Sequence, residues 1–417
     1  MRETVMGPPT SEATVRRRFL LLRGLRWLPT GLMIPVLVLL LLERGLSLGQ
    51  LGLAFAAQGF VVLILELPTG GFADALGRRR VLLLATVFEV GAVAILMASH
   101  SVAVLAVAFA LMGVYRALES GPLDSWYVDT SQGIDPDADI ERGLSLGGVV
   151  VGIAISVGSL ASSLIVALEP LPGVDPLVTP LIAALVLLAV EFVAIVVLMT
   201  EPAQPWSVHG LAEAFAATPP IIAGAVRTVR SSTVLGALVT VELLWGFGMI
   251  AFETFTPARL SDVMSSADQA ATVLGPTSIA AWLAAAGGAA LIPLLTGRWQ
   301  PAYVGAGMRV AQGLTVVGIA LATGPVGVVA AYVLTIGING ASDPLHQAML
   351  HRAVVDSGNR ATIVSVNSLT AHAGGMIGGI ALGALADATN LTTAIVAGAA
   401  ILAAAAPLYL LVARRTG

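Results

Sequence analysis

The sequence predicts an all-α membrane protein with twelve transmembrane helices arranged as two pseudo-symmetric six-helix bundles. Of its 417 residues, 57% are hydrophobic and only 11% are charged, too few to give several soluble domains a wettable surface. Apolar stretches of roughly 20 residues, the length that crosses a bilayer, recur along the whole chain. A long polar stretch with four prolines lies between the sixth and seventh of them.

The apolar stretches are separated by short loops, and each is long enough for one membrane crossing. The predicted helices span 19–42, 49–69, 81–98, 102–124, 143–168, 179–200, 232–256, 270–295, 302–322, 325–348, 361–386 and 391–412. The division predicted from them is a cytoplasmic segment 1–18, an N-terminal bundle 19–200, a cytoplasmic linker 201–231, a C-terminal bundle 232–413 and a cytoplasmic tail 414–417.

Arginine placement predicts the orientation. The chain has no lysine, so all 21 basic side chains are arginines. Fifteen of them fall on one set of alternate loops and termini, against Arg44 and Arg259 on the other. Basic residues in short loops stay on the cytoplasmic side during insertion. We therefore expect a multi-pass protein of the inner (plasma) membrane with both termini in the cytoplasm.

Several classes of function are disfavoured by composition. Without cysteine there is no disulfide, thiolate nucleophile or cysteine-bound metal. The five histidines lack a metal-binding spacing, no phosphate-binding loop of the GxxxxGK[ST] type occurs, and a net charge of −4 argues against nucleic-acid binding. We expect no metal, no cofactor, no nucleic-acid partner and no enzymatic activity.

The two halves share weak sequence similarity. SGPL at 120–123 aligns with SDPL at 342–345, six helices later, and the segments at 44–47 and 258–261 are also similar. A single arginine opens the fifth helix (Arg142) and the eleventh (Arg360). Duplicated halves that meet at the bilayer midplane are typical of transporters that rock between two states.

The segment GGFADALGRRRVL, residues 70–82, is the most specific motif in the chain. It resembles the loop between helices 2 and 3 that is a signature of the major facilitator superfamily, although Phe72 and Ala75 depart from that pattern. The resemblance implies a gate in which Asp74 meets the start of helix 11 near Arg360, where a helix N-terminus favours a carboxylate. A loop that only sets topology is the alternative. The gating residues implied are Gly70, Asp74, Gly77, Arg78 and Arg79.

Ionisable residues inside spans are costly and therefore candidates for function. Arg116, followed by Gly121, resembles a second motif of the family that is associated with proton coupling in drug–proton members. Glu119 lies three residues on, so we expect it to pair with Arg116; a purely structural ion pair is the alternative. The candidates for proton coupling are Arg116, Glu119, Glu242 and Asp343. Glu89 and Glu191 are assigned equally to structure or to a proton path.

A substrate cavity is expected where helices 1, 4, 7 and 10 surround the centre of the family fold. Helix 7 places Glu242, Trp245 and Met249 on one stripe, a lining that suits lipophilic or cationic molecules. Plain packing of Trp245 and Met249, and a hydrogen-bonded structural His346, are the alternatives. The predicted substrate-binding residues are Trp27, Thr30, Tyr115, Glu242, Trp245, Met249, Asn339, Asp343 and His346.

These features predict a proton-coupled secondary transporter that exports small amphipathic or drug-like compounds by alternating access. The expected partners are a small-molecule substrate, protons and the lipid bilayer, and we expect a monomer. Helix 5 lacks the Gly-Pro pair of many antiporters, so transport is a firmer expectation than antiport. An importer or a lipid-type flippase on the same fold is the first alternative. A membrane receptor or scaffold is the second, although no loop is large enough for a soluble signalling domain.

Overall fold

The structure is a computed structural model that describes residues 11–201, 208–354 and 360–416. Within these residues the chain is helical and has no strand. In the part of the chain that the structure describes, twelve helical segments are long and apolar enough to cross a membrane, which confirms the predicted number. They are Glu12–Glu43, Leu48–Thr69, Arg78–Ala98, Val102–Ile134, Ile140–Leu168, Thr179–Leu198, Thr233–Met264, Ala267–Thr296, Pro301–Leu321, Pro325–Ala353, Thr362–Ala388 and Leu391–Arg414.

Four of these spans are broken into two helices and the others are continuous. The broken spans consist of α1 (Glu12–Met33) with α2 (Leu37–Glu43), α5 (Val102–Glu119) with α6 (Pro122–Ile134), α10 (Thr233–Glu253) with α11 (Phe255–Met264), and α16 (Leu391–Ala404) with α17 (Ala406–Thr416). The continuous ones contain α3 (Leu48–Leu76), α4 (Arg78–Ala98), α7 (Ile140–Leu168), α8 (Thr179–Leu198), α12 (Ala267–Thr296), α13 (Pro301–Leu321), α14 (Pro325–Ala353) and α15 (Arg360–Ala388). Pro35 precedes α2, and Gly121 with Pro122 separates α5 from α6. Proline removes a backbone donor and so favours such breaks.

Two polar segments contain more helix than the sequence suggested. α1 begins at Glu12, where the Ser11 side chain accepts a hydrogen bond from the N–H of Thr14 and so caps the helix. The linker also contains a helix, α9 (Val208–Ser231), and the ring of its Phe215 lies 5.3 Å from that of Phe72 on α3. Neither segment has the long apolar run by which spans are recognised, so hydropathy alone missed both helices.

The same close helix contact occurs in each half of the chain. A Cβ placed on Gly31 of α1 would lie 2.6 Å from the Ile155 carbonyl oxygen of α7. A Cβ on Gly246 of α10 would collide in the same way with the Ala371 carbonyl oxygen of α15. Small residues let transmembrane helices approach closely. The first and fifth spans of each half therefore pack through a glycine at equivalent positions.

The two bundles meet along α3 with α15 and along α7 with α12. At one end of this interface lies Asp387, near the C-terminal end of α15. Its carboxylate accepts hydrogen bonds from the Ser47 hydroxyl (2.5 Å) and the Gly49 N–H (3.1 Å). The Ser163 hydroxyl of α7 donates to the Ala271 carbonyl of α12 at 2.5 Å and accepts from the Gly275 N–H at 2.8 Å. We call this end the closed end; the other, where α3 meets α4 at Arg78, is the arginine-rich end.

Candidate functional site

A cavity of about 380 Å³ lies between the two bundles. Its wall comes from α1, α3, α4, α5 and α6 of the N-terminal half, and from α15 of the C-terminal half. The lining residues are Arg23, Trp27, Thr30, Met33, Gln58, Val62, Glu66, Glu89, Met112, Tyr115, Arg116, Ala117, Glu119, Ser120, Gly121, Asp124, Ser368 and His372. From Met33 the lining runs toward Arg23 and Asp124, on the side of the arginine-rich end.

A buried arginine organises the inner wall of this cavity. Arg26 of α1 is only 2% exposed. Its Nε lies 2.9 Å from Glu119 Oε1 on α5, and its Nη1 lies 2.6 Å from Glu191 Oε1 on α8. The guanidinium also lies over the ring of Tyr115, 4.7 Å from its centroid, in a cation–π contact. One arginine thus ties three helices together, which is how a buried charge is made tolerable.

Glu89 of α4 joins this group as a third acid. Its side chain is 1% exposed, it lines the cavity, and its charge interacts with Arg26, Glu119 and Glu191. Among the described residues, Glu89 Oε2 has no hydrogen-bond partner. We call Arg26, Glu89, Tyr115, Glu119 and Glu191 the Arg26 cluster. The sequence left Glu89 and Glu191 without an obvious partner; the missed signal was Arg26, an arginine inside a span that required acids from other helices.

The expected pairing of Arg116 with Glu119 is wrong, because Glu119 turns to Arg26. Arg116 is exposed on the cavity wall. On the opposite wall, the Ser368 hydroxyl of α15 donates to Glu66 Oε1 at 3.2 Å, and His372 Nδ1 lies 3.7 Å from Glu66 Oε2. The buried guanidinium of Arg26 gains more from Glu119 than an exposed one does, since an exposed ion pair is screened by water.

The loop between α3 and α4 turns at Gly77, whose φ of 86° suits glycine. Glu201 accepts hydrogen bonds from the N–H groups of Arg78 (3.1 Å) and Arg79 (3.0 Å) at the start of α4. A carboxylate at a helix N-terminus is favourable. Sequence reasoning missed this contact, because Glu201 lies more than a hundred residues away in the chain. Arg78 Nη2 also lies 2.6 Å from Asp129 Oδ2.

The predicted gate itself stays a prediction. Residue 70 and the side chains of Asp74, Arg360 and Ala361 lie outside the residues whose placement is described, so no contact of theirs is reported.

The C-terminal bundle contains a second buried polar network. Glu242 of α10 lies 3.4 Å from His346 Nε2 on α14, and His346 Nδ1 lies 2.8 Å from the Tyr409 hydroxyl on α17. His346 Nε2 also lies 3.4 Å from Asn367 Oδ1 on α15. The charge of the buried Arg309 on α13 acts on both Glu242 and His346. Glu242 and His346 are thus held inside one bundle.

The remaining predicted residues of this half have separate surroundings. Trp245 Nε1 donates to Asn339 Oδ1 at 2.8 Å, and Gln312 Nε2 donates to the same oxygen at 3.2 Å. Met249 packs against the main hydrophobic core, and Asp343 is exposed. Of the predicted substrate residues, Trp27, Thr30 and Tyr115 line the cavity described above.

Comparison with known proteins gives the chain a family. The model of the Major Facilitator Superfamily matches residues 19–342. No curated protein matches the sequence significantly. A crystal structure of the nucleoside transporter NupG aligns with a TM-score of 0.76 at 13% identity, covering 95% of this chain and 98% of that one.

Two further solved structures show the same fold. A bacterial homologue of the human lysosomal transporter Spinster, in an inward-facing and unoccupied conformation, aligns with a TM-score of 0.73 at 16% identity, covering 98% of both chains. The peptide transporter POT, in complex with sulfate, aligns with a TM-score of 0.73 at 16% identity, covering 96% of this chain and 94% of that one.

Proposed function

Because the chain belongs to the major facilitator superfamily, we propose that it is a proton-coupled secondary transporter that exports small amphipathic or drug-like compounds by alternating access. The family and the fold are those of transporters and not of enzymes. A match to solved structures at these identities speaks for the fold alone, so the substrate and the direction of transport belong to the proposal.

The observation that carries the proposal is the cavity between the bundles. It combines aromatic surfaces (Trp27, Tyr115) with carboxyl groups (Glu66, Glu89, Glu119), and such a lining suits molecules that are partly apolar and partly cationic. Carboxyl groups in a water-lined passage also take up and release protons. A proton and a substrate that bind the same cavity bias the two states of the transporter in opposite directions.

The closed end and the arginine-rich end support an assignment of sides. Basic residues are held in the cytoplasm, so the arginine-rich end and both termini are proposed to be cytoplasmic in a plasma membrane. On this assignment the interface is sealed on the outer side by Asp387 with Ser47 and by Ser163 with Ala271. The cavity then communicates with the cytoplasm, where an exporter collects its substrate.

Among the predicted coupling residues, Glu119 and Arg116 have the strongest support, because both line the cavity. Glu242 lies in the C-terminal network beside His346. Its proposed part is to respond to a proton that enters that network. Asp343 is exposed, and its proposed role rests on its place on α14 and on the action of its charge on Glu242.

The test is transport by purified protein in proteoliposomes across an imposed pH gradient, with a panel of aromatic amines and neutral amphiphiles. We expect wild-type protein to move substrate in the direction opposite to proton flow. Transport by Glu119→Gln and Arg116→Ala should lose its dependence on the pH gradient. Asp137→Asn, on the exposed loop between α6 and α7, is the matched control and should transport normally. Transport along with protons would assign an importer, and full pH-dependent transport by both variants would remove the coupling assignment.

A further inference from the structure

The Arg26 cluster has more acids than bases. Glu119 and Glu191 each contact the Arg26 guanidinium directly, whereas the Glu89 carboxyl group makes neither an ion pair nor a hydrogen bond with a described residue. Three carboxyl groups and one guanidinium leave an excess of two negative charges if every acid is ionised. An unpaired charge in a buried site is strongly disfavoured, so the cluster requires either a bound proton or another cation beside its acids.

The C-terminal network is balanced by comparison. Its buried charged groups among the described residues are Glu242 and Arg309, with the neutral hydrogen-bonding groups of Tyr409 and Asn367 around His346; Asp343, whose charge also acts on Glu242, is exposed. The demand for additional positive charge is therefore on the N-terminal side of the molecule. On that side, Glu66 bonds to Ser368 and Asp124 pairs with Arg23, whereas the cavity-lining carboxyl group of Glu89 makes no hydrogen bond or ion pair with a described residue.

Trp27 of the cavity lining carries an unsatisfied hydrogen-bond donor. Trp27 Nε1, on the residue after Arg26, is buried and has no hydrogen-bond partner within the described part of the chain. An indole N–H is only a donor, and a carboxylate oxygen is only an acceptor. Buried polar groups are normally satisfied, so an unpaired donor and an unpaired acceptor in one cavity point to a ligand with both complementary groups.

We propose that Glu89 is the cation-accepting carboxylate of the cavity and that the substrates are amphipathic amines with a hydrogen-bond acceptor. The protonated amine donates to Glu89 Oε2, and Trp27 Nε1 donates to the acceptor oxygen of the same molecule. When the amine leaves, Glu89 takes up one proton from water in its place. This inference rests on the proposed transport function and names its substrate class.

The exchange has a defined charge balance. The loaded site holds a carboxylate and a monovalent ammonium ion, and the empty site holds a neutral carboxylic acid. Both forms carry the same net charge, so exchange of one amine for one proton is electroneutral. The titratable and charged groups that interact with Glu89 are Arg26 from α1, Tyr115 and Glu119 from α5, and Glu191 from α8.

A matched pair of probes tests the proposal by calorimetric binding to the solubilised full-length protein. Propranolol carries an aromatic ring, ether and hydroxyl acceptors and a protonated amine, and 3-(1-naphthyloxy)propane-1,2-diol keeps all of these except the amine. We expect propranolol to bind wild-type protein at least tenfold more tightly than the diol, because a hydrogen bond to a charged group changes an affinity by about tenfold or more. Its affinity should fall as the solution is acidified, since protons compete for Glu89, while that of the diol should not.

The variants separate a binding role from a structural one. Glu89→Gln should remove both the preference for the amine and its pH dependence without weakening the diol, whereas Glu89→Asp should keep the pH dependence. Trp27→Phe should weaken both probes by about fivefold. Asp137→Asn is the control. If Glu89→Gln unfolds at the normal temperature, a loss of its preference for the amine reflects a lost contact with the ligand and not a damaged fold. If that variant does not fold, Glu89→Asp is compared with wild-type protein in its place.

Three results would overturn the proposal: equal binding of the two probes to wild-type protein, a preference that survives in Glu89→Gln, or loss of the pH dependence in Glu89→Asp. The transport function fails separately, if wild-type proteoliposomes show no pH-driven movement of any compound in the panel. Propranolol transport that responds to an imposed membrane potential but not to a pH gradient would also contradict the electroneutral exchange.

Discussion

Asp387 is predicted to stabilise the conformation that is sealed at the closed end. It contacts the first turn of α3 from the opposite bundle, through the Ser47 hydroxyl and the Gly49 N–H. Two hydrogen bonds to a carboxylate at a helix N-terminus, discounted because the site is exposed to water, are worth about 1–2 kcal/mol together. Asp387→Asn should therefore shift the balance between the two states by roughly 5- to 30-fold toward opening at this end.

Distances between pairs of spin labels would measure this shift. The chain has no cysteine, so paired labels can be introduced without removing any native residue. Labels at Leu171 and Thr389 report on the closed end, and labels at Gln132 and His351 report on the arginine-rich end. We expect the first distance to lengthen and the second to shorten in Asp387→Asn. Ser266→Ala is the control, since Ser266 caps α12 at the same end but within one bundle.

A second variant approaches the same contact from the other side. A Cβ on residue 49 would collide with Asp387 Oδ2, so Gly49→Ala should open the closed end as Asp387→Asn does. If neither variant changes either distance distribution, or if Ser266→Ala changes them equally, Asp387 does not hold the bundles together.

Three further substitutions have effects that thermal unfolding in detergent can measure. Arg26→Ala leaves buried carboxylates without their guanidinium and should destabilise the fold by about 3–5 kcal/mol; an unchanged melting temperature would show that these acids are already neutral. Gly31→Val forces α1 away from the backbone of α7 near Ile155 and should cost about 1–3 kcal/mol, and normal stability would contradict the close packing. Tyr409→Phe removes one hydrogen bond to His346 and should cost only about 0.5–1.5 kcal/mol, so a larger loss would mean that the hydroxyl supports the whole network.

Much of the fold was predictable because its signals are local. The length of each apolar run determines whether a segment crosses the bilayer, and twelve spans were predicted and found. The motif at 70–82 and the repeated segments pointed to the family without any knowledge of contacts. Hydropathy could not find α9, because amphipathic helices outside the bilayer lack a long apolar run.

For the candidate site, the sequence could predict which acidic residues take part but not which residues they contact. The sequence singled out Glu119, Glu89 and Glu191 as acids inside spans, since such residues are costly in lipid wherever they lie. It assigned Glu119 to its neighbour Arg116 on the same helix, and that assignment failed because Arg26 from α1 lies closer.

By itself, then, the sequence determined the number of spans, the helices that carry charge and the end that carries the arginines, because each depends on a short stretch of chain. Tertiary structure alone decided how those charges are paired. Arg26 meets Glu191 across 165 positions of sequence, and Glu242 turns into its own bundle beside His346. Such pairings follow from the packing of distant helices against one another, and that packing leaves the cavity-lining Glu89 without a hydrogen-bond or ion-pair partner among the described residues.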